Sequence, residues 1–419
     1  MQLLRFFTAG NVDDGKSTLI GRLLYDSNSI STDIIETLTR QSKTTGVNTE
    51  IDLALLTDGL RAEREQGITI DVAYKYFSTD KRKFIIADTP GHIQYTRNMF
   101  TGASNANLAI ILVDARNGIT DQTKRHSIIS AILGIPHILV CINKMDLVDY
   151  SEEKYKQIES DYLTFAQQLI PKAIGIKDIS FIPASALAGD NVVTKSEKMT
   201  WYKGKPLLEF LETVEIAEAK QTELSRFQVQ YVIRPQTDDL HDYRGFAGRV
   251  VSGTYQKGQK VTILPSGIET TIDKIEVNQQ EVEKVDTNTP VVLHLKDDVD
   301  ISRGNSIVPT EYLPKTEKEI TATICWMDNA AYIPGQKILL QQNSFRTKAV
   351  VKEVISKVDI HSFKALESDG AMKLNDICKV LIKTAEPVSF DSYKDNRSNG
   401  AFILINENTN NTIAAGTID

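Results

Sequence analysis

Three short stretches carry the residues able to do chemistry, and each follows an apolar run. The first, GNVDDGKST at residues 10–18, comes directly after LLRFFTA. Its G-x-x-x-x-G-K-S spacing is that of a phosphate-gripping loop between a strand and a helix. Gly10 and Gly15 let the backbone come close to a ligand. The N–H groups of Asn11, Val12, Asp13, Asp14, Gly15 and Lys16 can then point at phosphate oxygens near a helix N-terminus. Lys16 would reach the β- and γ-phosphates, while the hydroxyl of Ser17, followed by Thr18, would ligate Mg2+. The second stretch, DTPGH at 88–92, follows KFIIA. Asp88 at the strand end can hold a water of the Mg2+ shell. Past Thr89 and Pro90, the N–H of Gly91 can bond a γ-phosphate, so that loss of this phosphate releases the segment. The third, NKMD at 143–146, follows HILVCI. The Asp146 carboxylate can accept from the guanine N1–H and exocyclic amine, whereas adenine offers an acceptor at N1 and would leave the carboxylate unpaired. Asn143 and Lys144, with Met145 beside them, would support the ring and the loop. Together the three stretches predict a site for GTP with Mg2+.

Such loops need strands that end at a common edge. The runs LLRFFTAG, KFIIADTPG, LAIILVDA, HILVCINKMD and ISFIPASA are unalternated and rich in Val, Ile and Leu, as expected of parallel strands buried on both faces. Amphipathic stretches such as KSTLIGRLL and EEKYKQIESDYLTFAQQLI lie between them. This alternation predicts a doubly wound α/β domain with a mostly parallel sheet and its ligand at the carboxyl ends of the strands. The domain is expected over 1–222. Beyond it the texture turns to short strands punctuated by turns, predicting two antiparallel β-barrels over 223–314 and 315–419, divided at VPTEYLPKTEKE.

The bulk properties narrow the partners. A formal net charge of -7 gives no global basic field, so binding to nucleic acid or to an anionic membrane is not expected. No apolar stretch approaches the roughly 18 residues that span a bilayer, and the opening MQLLRFFTAG reads as the first strand rather than a signal peptide. Cys141, Cys325 and Cys378 each sit in an apolar run and are expected to be buried structural thiols, in keeping with a reducing cytoplasm. The histidines other than His92 form no cluster with metal-ligand spacing.

Further stretches carry a resemblance. Ser185, Ala186 and Leu187 resemble the additional base-contacting loop of GTPases, and Thr69 in GITI is placed like the switch threonine that completes the Mg2+ site when γ-phosphate is present. His92 stands where other GTPases carry a glutamine that orients the attacking water, a task within reach of an imidazole. With RGFAGRVVSG, DISRGN and GAFILIN in the later part, nearly the whole chain, from about Leu3 to Ile418, resembles the translational GTPase superfamily and, within it, the GTPase subunits of bacterial ATP sulfurylase. The resemblance implies a cytoplasmic GTPase that works with a smaller catalytic subunit. That subunit makes adenosine 5'-phosphosulfate and pyrophosphate from ATP and sulfate, and GTP hydrolysis drives the uphill reaction. It also implies a phosphate grip on residues 10–17, Mg2+ on Ser17 and Thr69, water orientation by His92 and guanine recognition by Asn143, Lys144 and Asp146. Asp14 stands where translation factors usually carry histidine, which favours the sulfurylase branch. Gln94 departs from the acidic residue expected there, and an adenylylsulfate kinase, fused in some relatives, is expected as a separate protein. The rival readings are an elongation factor delivering aminoacyl-tRNA and a GTP-binding scaffold without turnover.

Overall fold

The computed structural model describes residues 2–30, 33, 36, 53, 71–92, 96–169, 176–216, 224–235, 243–359, 365–368 and 370–419. Thr69 and Gln94 lie outside the described residues, as does most of the segment between Ser29 and Ile70. Two compact units divide the chain, the first taking in Met1–Ile216 and the second opening at Ala217.

The first unit is built on a six-stranded sheet in the order β2-β3-β1-β4-β5-β6, from β1 (Leu3–Ala9), β2 (Ala73–Ser78), β3 (Lys83–Asp88), β4 (Leu108–Asp114), β5 (His137–Asn143) and β6 (Asp178–Pro183). Every residue of β4 and β5 is buried, which is why neither alternates in sequence. Strands β3, β1, β4, β5 and β6 pair in parallel, and β2 pairs antiparallel with β3, with Ala73 opposite Asp88. This edge strand escaped the sequence reading. Its AYKYFS alternates, with Tyr74 and Tyr76 exposed, and it has none of the continuous apolar character that marks its neighbours.

Helices α1 (Lys16–Asp26), α2 (Thr96–Ala103), α3 (Asp121–Ile132), α4 (Glu152–Leu169) and α5 (Leu207–Thr213) connect or follow these strands. The first begins after Gly15 at φ 91°, a left-handed conformation that glycine adopts without a Cβ penalty. Thr120 and Thr123 form a reciprocal capping box that starts α3. Because β1 has β3 on one side and β4 on the other, the chain winds away from β1 in both directions. Its carboxyl end therefore opens onto a crevice, the place where such sheets receive ligands. Leu19, Ile20 and Leu23 of α1 pack with Leu4, Phe6, Leu112 and Leu139 in one buried cluster, which fixes α1 and hence the loop that precedes it.

The second unit contains two antiparallel barrels. Strands β7 (Arg226–Ile233), β8 (Gly245–Ser252), β9 (Lys260–Leu264), β10 (Ile268–Val277), β11 (Pro290–Leu295) and β12 (Ser306–Pro309) run β9-β12-β7-β8-β11-β10, and a β9–β10 pairing closes the ring. Strands β13 (Lys315–Trp326), β14 (Ile338–Gln342), β15 (Phe345–Val358), β16 (Ile377–Phe390), β17 (Ala401–Asn406) and β18 (Thr412–Ile418) run β14-β17-β18-β13-β16-β15, closed by β14–β15. Closure leaves neither barrel with an open edge along these strands. All three cysteines are buried and none forms a disulfide, and burial pushes the Cys141 thiol up to about 12, so it is inert as a nucleophile.

A polar knot joins the barrels. The Arg226 guanidinium grips both oxygens of Asp391 at 2.8 Å and 2.8 Å and also donates to the carbonyls of Ser225 and Tyr312. Asn399 donates a further bond to Asp391, and Ser344 bonds Gln228. Both ions of the pair are almost fully buried, so removing one leaves the other charged in a medium that solvates it poorly. Asp391→Ala is expected to cost about 3–5 kcal/mol in chemical denaturation. A loss below about 1 kcal/mol would mean that water reaches the Arg226 guanidinium.

Candidate nucleotide site

Every sequence-predicted site residue that is described lies at the carboxyl edge of the first sheet. The loop from Gly10 to Gly15 follows β1, and Ser17 and Thr18 fall in the first turn of α1. The loop is braced from within. Asn11 N–H donates to the Asp14 carboxylate at 2.6 Å, and Asp14 N–H donates to the Asn11 carbonyl. Burial raises Asp14 above the usual carboxylate range against the Asn11 bond and the charge of Lys16. The Lys16 ammonium, 7 % exposed as a residue, donates to the carbonyls of Gly10 and Asn11. Burial lowers it, while the carboxylates of Asp88, Asp14 and Asp13 act to keep it charged.

Beyond β3 lies the second stretch. Asp88 is buried, its Oδ1 accepting from the Thr8 hydroxyl at 3.0 Å, and the Thr89 hydroxyl donates to the Thr8 carbonyl at 2.6 Å. Pro90 and Gly91 are buried and His92 is half-buried. A Cβ on Gly91 would overlap the Lys16 ammonium and the Gly10 carbonyl, so this glycine exists for close approach of the two loops.

The third stretch ends β5. Asn143, 1 % exposed, donates from Nδ2 to the Asp14 carbonyl at 2.8 Å and accepts from the Ala186 N–H at 2.9 Å. Lys144 adopts φ 63° and donates from Nζ to the Asp13 carbonyl. Met145 is buried, its N–H bonding the Ala184 carbonyl. The Asp146 carboxylate accepts from the Ser185 hydroxyl at 2.6 Å, and Ser185 Oγ in turn accepts from the Ala188 N–H. Arg22 of α1 donates to the carbonyls of Ala186 and Leu187, tying the exposed Leu187 back to the helix. The structure thus brings together residues 10–18, 88–92, 143–146 and 185–187.

Sequence reasoning missed the residues that connect these loops. Thr8 is the last but one residue of β1 and reads as sheet. Arg22 reads as the polar face of a helix. Asp114 and Arg116, from VDARNG, also belong here: Asp114 accepts from the Arg116 N–H, Nε and Nη2 and pairs with Lys144 Nζ at 3.0 Å. A carboxylate closing an otherwise apolar buried strand was the available signal.

Known proteins resemble this chain along its length. A family model described as elongation factor Tu GTP binding domain matches residues 1–222, and one described as GTP-eEF1A C-terminal domain-like matches residues 319–419. The sulfate adenylyltransferase subunit 1 of Alteromonas mediterranea is 52 % identical over 418 residues, 99 % of this chain and 86 % of that protein. That of Colwellia psychrerythraea is 48 % identical over 419 residues, 100 % of this chain and 88 % of its own. The solved GTPase-like domain of S. cerevisiae Ski7, bound to GTP, matches with a TM-score of 0.54 at 17 % identity over 100 % of this chain and 97 % of that one, a likeness of fold alone.

Replacing Asn143 by Ala removes two buried hydrogen bonds and leaves the Ala186 N–H and the Asp14 carbonyl without their partner. It is expected to lower stability by about 2–4 kcal/mol in urea unfolding and to speed hydrogen exchange at the Ala186 amide. Unchanged exchange there would show that the bond does not hold the loop.

Proposed function

We infer that this chain, which belongs to the sulfate adenylyltransferase subunit 1 family of elongation-factor-like GTPases, is the GTPase subunit of a sulfate adenylyltransferase. The observation that carries the reading is the Asn143 bridge. It ties a phosphate-binding loop to the loop bearing Asp146, so that one ligand with a phosphate end and a guanine end is served by a single preformed surface. Full-length likeness to relatives named sulfate adenylyltransferase subunit 1 selects the sulfate-activating role. No observation favours the elongation-factor reading beyond the shared fold.

In this proposal the amides of Asn11 through Lys16 and the Lys16 ammonium bind the phosphates, with the first turn of α1 supplying its positive end. Ser17 and Asp88 fit Mg2+: both offer hard oxygen donors, and Thr8 fixes the Asp88 carboxylate. Among the described residues no group of three or more His, Cys, Asp or Glu gathers around a metal-sized space. Mg2+ bound with phosphates needs only one or two protein oxygens. When bound, the ion would offset the negative charge on the phosphate oxygens. Thr69, expected to complete that shell, lies outside the described residues. Gly91, held against the P-loop, is placed to report the γ-phosphate, and His92 beside it is the group proposed to orient the attacking water. Asp146, aimed by Ser185, recognises the guanine edge.

The partner is proposed to be a smaller catalytic subunit, on which a sulfate oxygen attacks the α-phosphorus of ATP and pyrophosphate leaves. The sulfate–phosphate anhydride so formed is unstable relative to reactants, and coupling supplies the driving force. Phosphate-held loops favour one interface with the partner, and hydrolysis favours another. No helix among the described residues is long and apolar enough to cross a membrane, and a cytoplasmic setting is part of the proposal. Domain limits at 222 and 314 are proposed with it.

Steady-state GTP hydrolysis by the purified chain should rise on adding the partner subunit with ATP and sulfate, and should stay flat with ribosomes. Stimulation by ribosomes alone would sink the assignment. Asp146→Asn replaces an acceptor by a group able to donate, so GTP affinity should fall by about 100-fold or more while xanthosine triphosphate, which carries a carbonyl in place of the amine, gains. His92→Ala should abolish coupled turnover and leave GTP affinity within about threefold, as expected when only a transition-state contact is removed. Collapse of affinity as well would make His92 structural.

A further inference from the structure

The buried carboxylate at the end of β4 belongs to the site, yet none of the proposed ligand contacts uses it. Asp114 sits in the strand between β1 and β5, opposite Asn143 in register, and is 3 % exposed. Two cations meet on it. Arg116 wraps back so that its N–H and Nε bond Oδ1 at 2.9 Å and 3.0 Å while Nη2 bonds Oδ2 at 2.6 Å. Lys144 Nζ meets the same Oδ2 at 3.0 Å. Burial alone would raise this carboxyl, yet the bonds from Arg116 and the Lys144 ammonium outweigh it and hold Asp114 at about 2. It is a fixed anion at any physiological pH.

A lysine side chain is flexible, with roughly 2 kcal/mol of rotamer entropy to lose on ordering. Lys144 is spared most of that loss on binding a ligand, because its ammonium is already held between the Asp13 carbonyl and the Asp114 carboxylate. Its backbone is equally committed, in the left-handed region at φ 63°. The stem is thereby stretched from the β5 loop toward the P-loop. Arg116 has a second role in this arrangement. Its side chain is 49 % exposed and it feels the charge of Asp146, the group assigned to the guanine edge. It cancels the charge that a lone Asp114 would project toward anionic phosphates.

Resting on the GTP-binding reading above, we propose that Asp114, with Arg116 as its counter-ion, is a positioning residue for guanosine: it pins Lys144 in the extended pose that lies along the base. The phosphate grip of Lys16 and the P-loop amides does not depend on this contact. Loss of Asp114 should therefore weaken nucleotides that carry guanosine and spare a bare phosphate chain. GDP and GTP should suffer alike, because the γ-phosphate is remote from Lys144.

The test uses the full chain with displacement of a fluorescent GDP by GTP, GDP and inorganic tripolyphosphate. In Asp114→Asn, an isosteric change, the Kd for GTP and GDP should rise by about tenfold, with the inhibition constant of tripolyphosphate within about twofold of the parent. In a Lys144→Met background the same Asp114→Asn change should add less than about twofold, since its effect runs through that lysine. Asp114→Glu, which keeps the anion but displaces it from Lys144 Nζ, should raise both nucleotide constants by about threefold, again sparing tripolyphosphate, and decides the matter if Asp114→Asn does not fold. Equal loss for tripolyphosphate, or a full tenfold loss on top of Lys144→Met, would overturn the proposal and make Asp114 a general brace. A parent chain that displaces fluorescent GDP with no guanine nucleotide would instead sink the GTP-binding reading itself.

Discussion

The site depends on one side chain reaching across a strand. β1 and β5 are not neighbours, since β4 runs between them, and neighbouring strands are about 4.8 Å apart. A loop following β1 and a loop following β5 have no backbone ladder in common. The Asn143 amide supplies the missing link, with its donor on the Asp14 carbonyl and its acceptor on the Ala186 N–H. Being buried, those groups cannot exchange Asn143 for water without cost, so the three loops are set as one piece. The same constraint explains Gly15 more fully than phosphate binding does. Besides its φ of 91°, a Cβ there would collide with Asn143 Nδ2. The glycine of the phosphate loop is required by the base-side loop as much as by the ligand.

Much of this was legible in the sequence because the motifs carry their own geometry. A glycine-rich loop between a strand and a helix, and an Asn-Lys-x-Asp after a buried strand, specify both the element boundary and the atoms presented. The unalternated runs identified the parallel strands for a similarly direct reason, burial on both faces. Legibility failed for β2 and for the connecting residues. β2 is an edge strand with one solvated face, and AYKYFS alternates where its neighbours run continuously apolar. Arg22 and Thr8 act through long-range bonds, 164 positions apart in the case of Arg22 and Ala186, and no local pattern encodes such a pairing.

Charge within the site follows from burial more than from composition. The chain is acidic overall, yet Lys16, Lys144, Arg116 and Arg22 gather where phosphates and a base are proposed to lie. Each is held by carbonyls or carboxylates of the loops themselves, so its position does not await a ligand. His126, buried in α3, shows the field that results. Burial and then the charges of Lys16 and Arg125 lower it to about 3, so it stays neutral where a proton would add to an already positive region.

The DTPGH segment differs from the others in how it is fixed. The β1 and β5 loops are locked to each other by side chains, whereas the stretch after β3 is held at its start by Thr8 and then presses Gly91 against Lys16 and Gly10. In the proposed function this segment changes state on the loss of one phosphate, and the differential affinity of the ligand for the two states sets the limit on that shift. Base recognition and γ-phosphate sensing, as proposed, are complementary demands on one sheet edge. The strand order serves both by setting the proposed sensor, after β3, on the opposite side of β1 from the proposed base site, after β5.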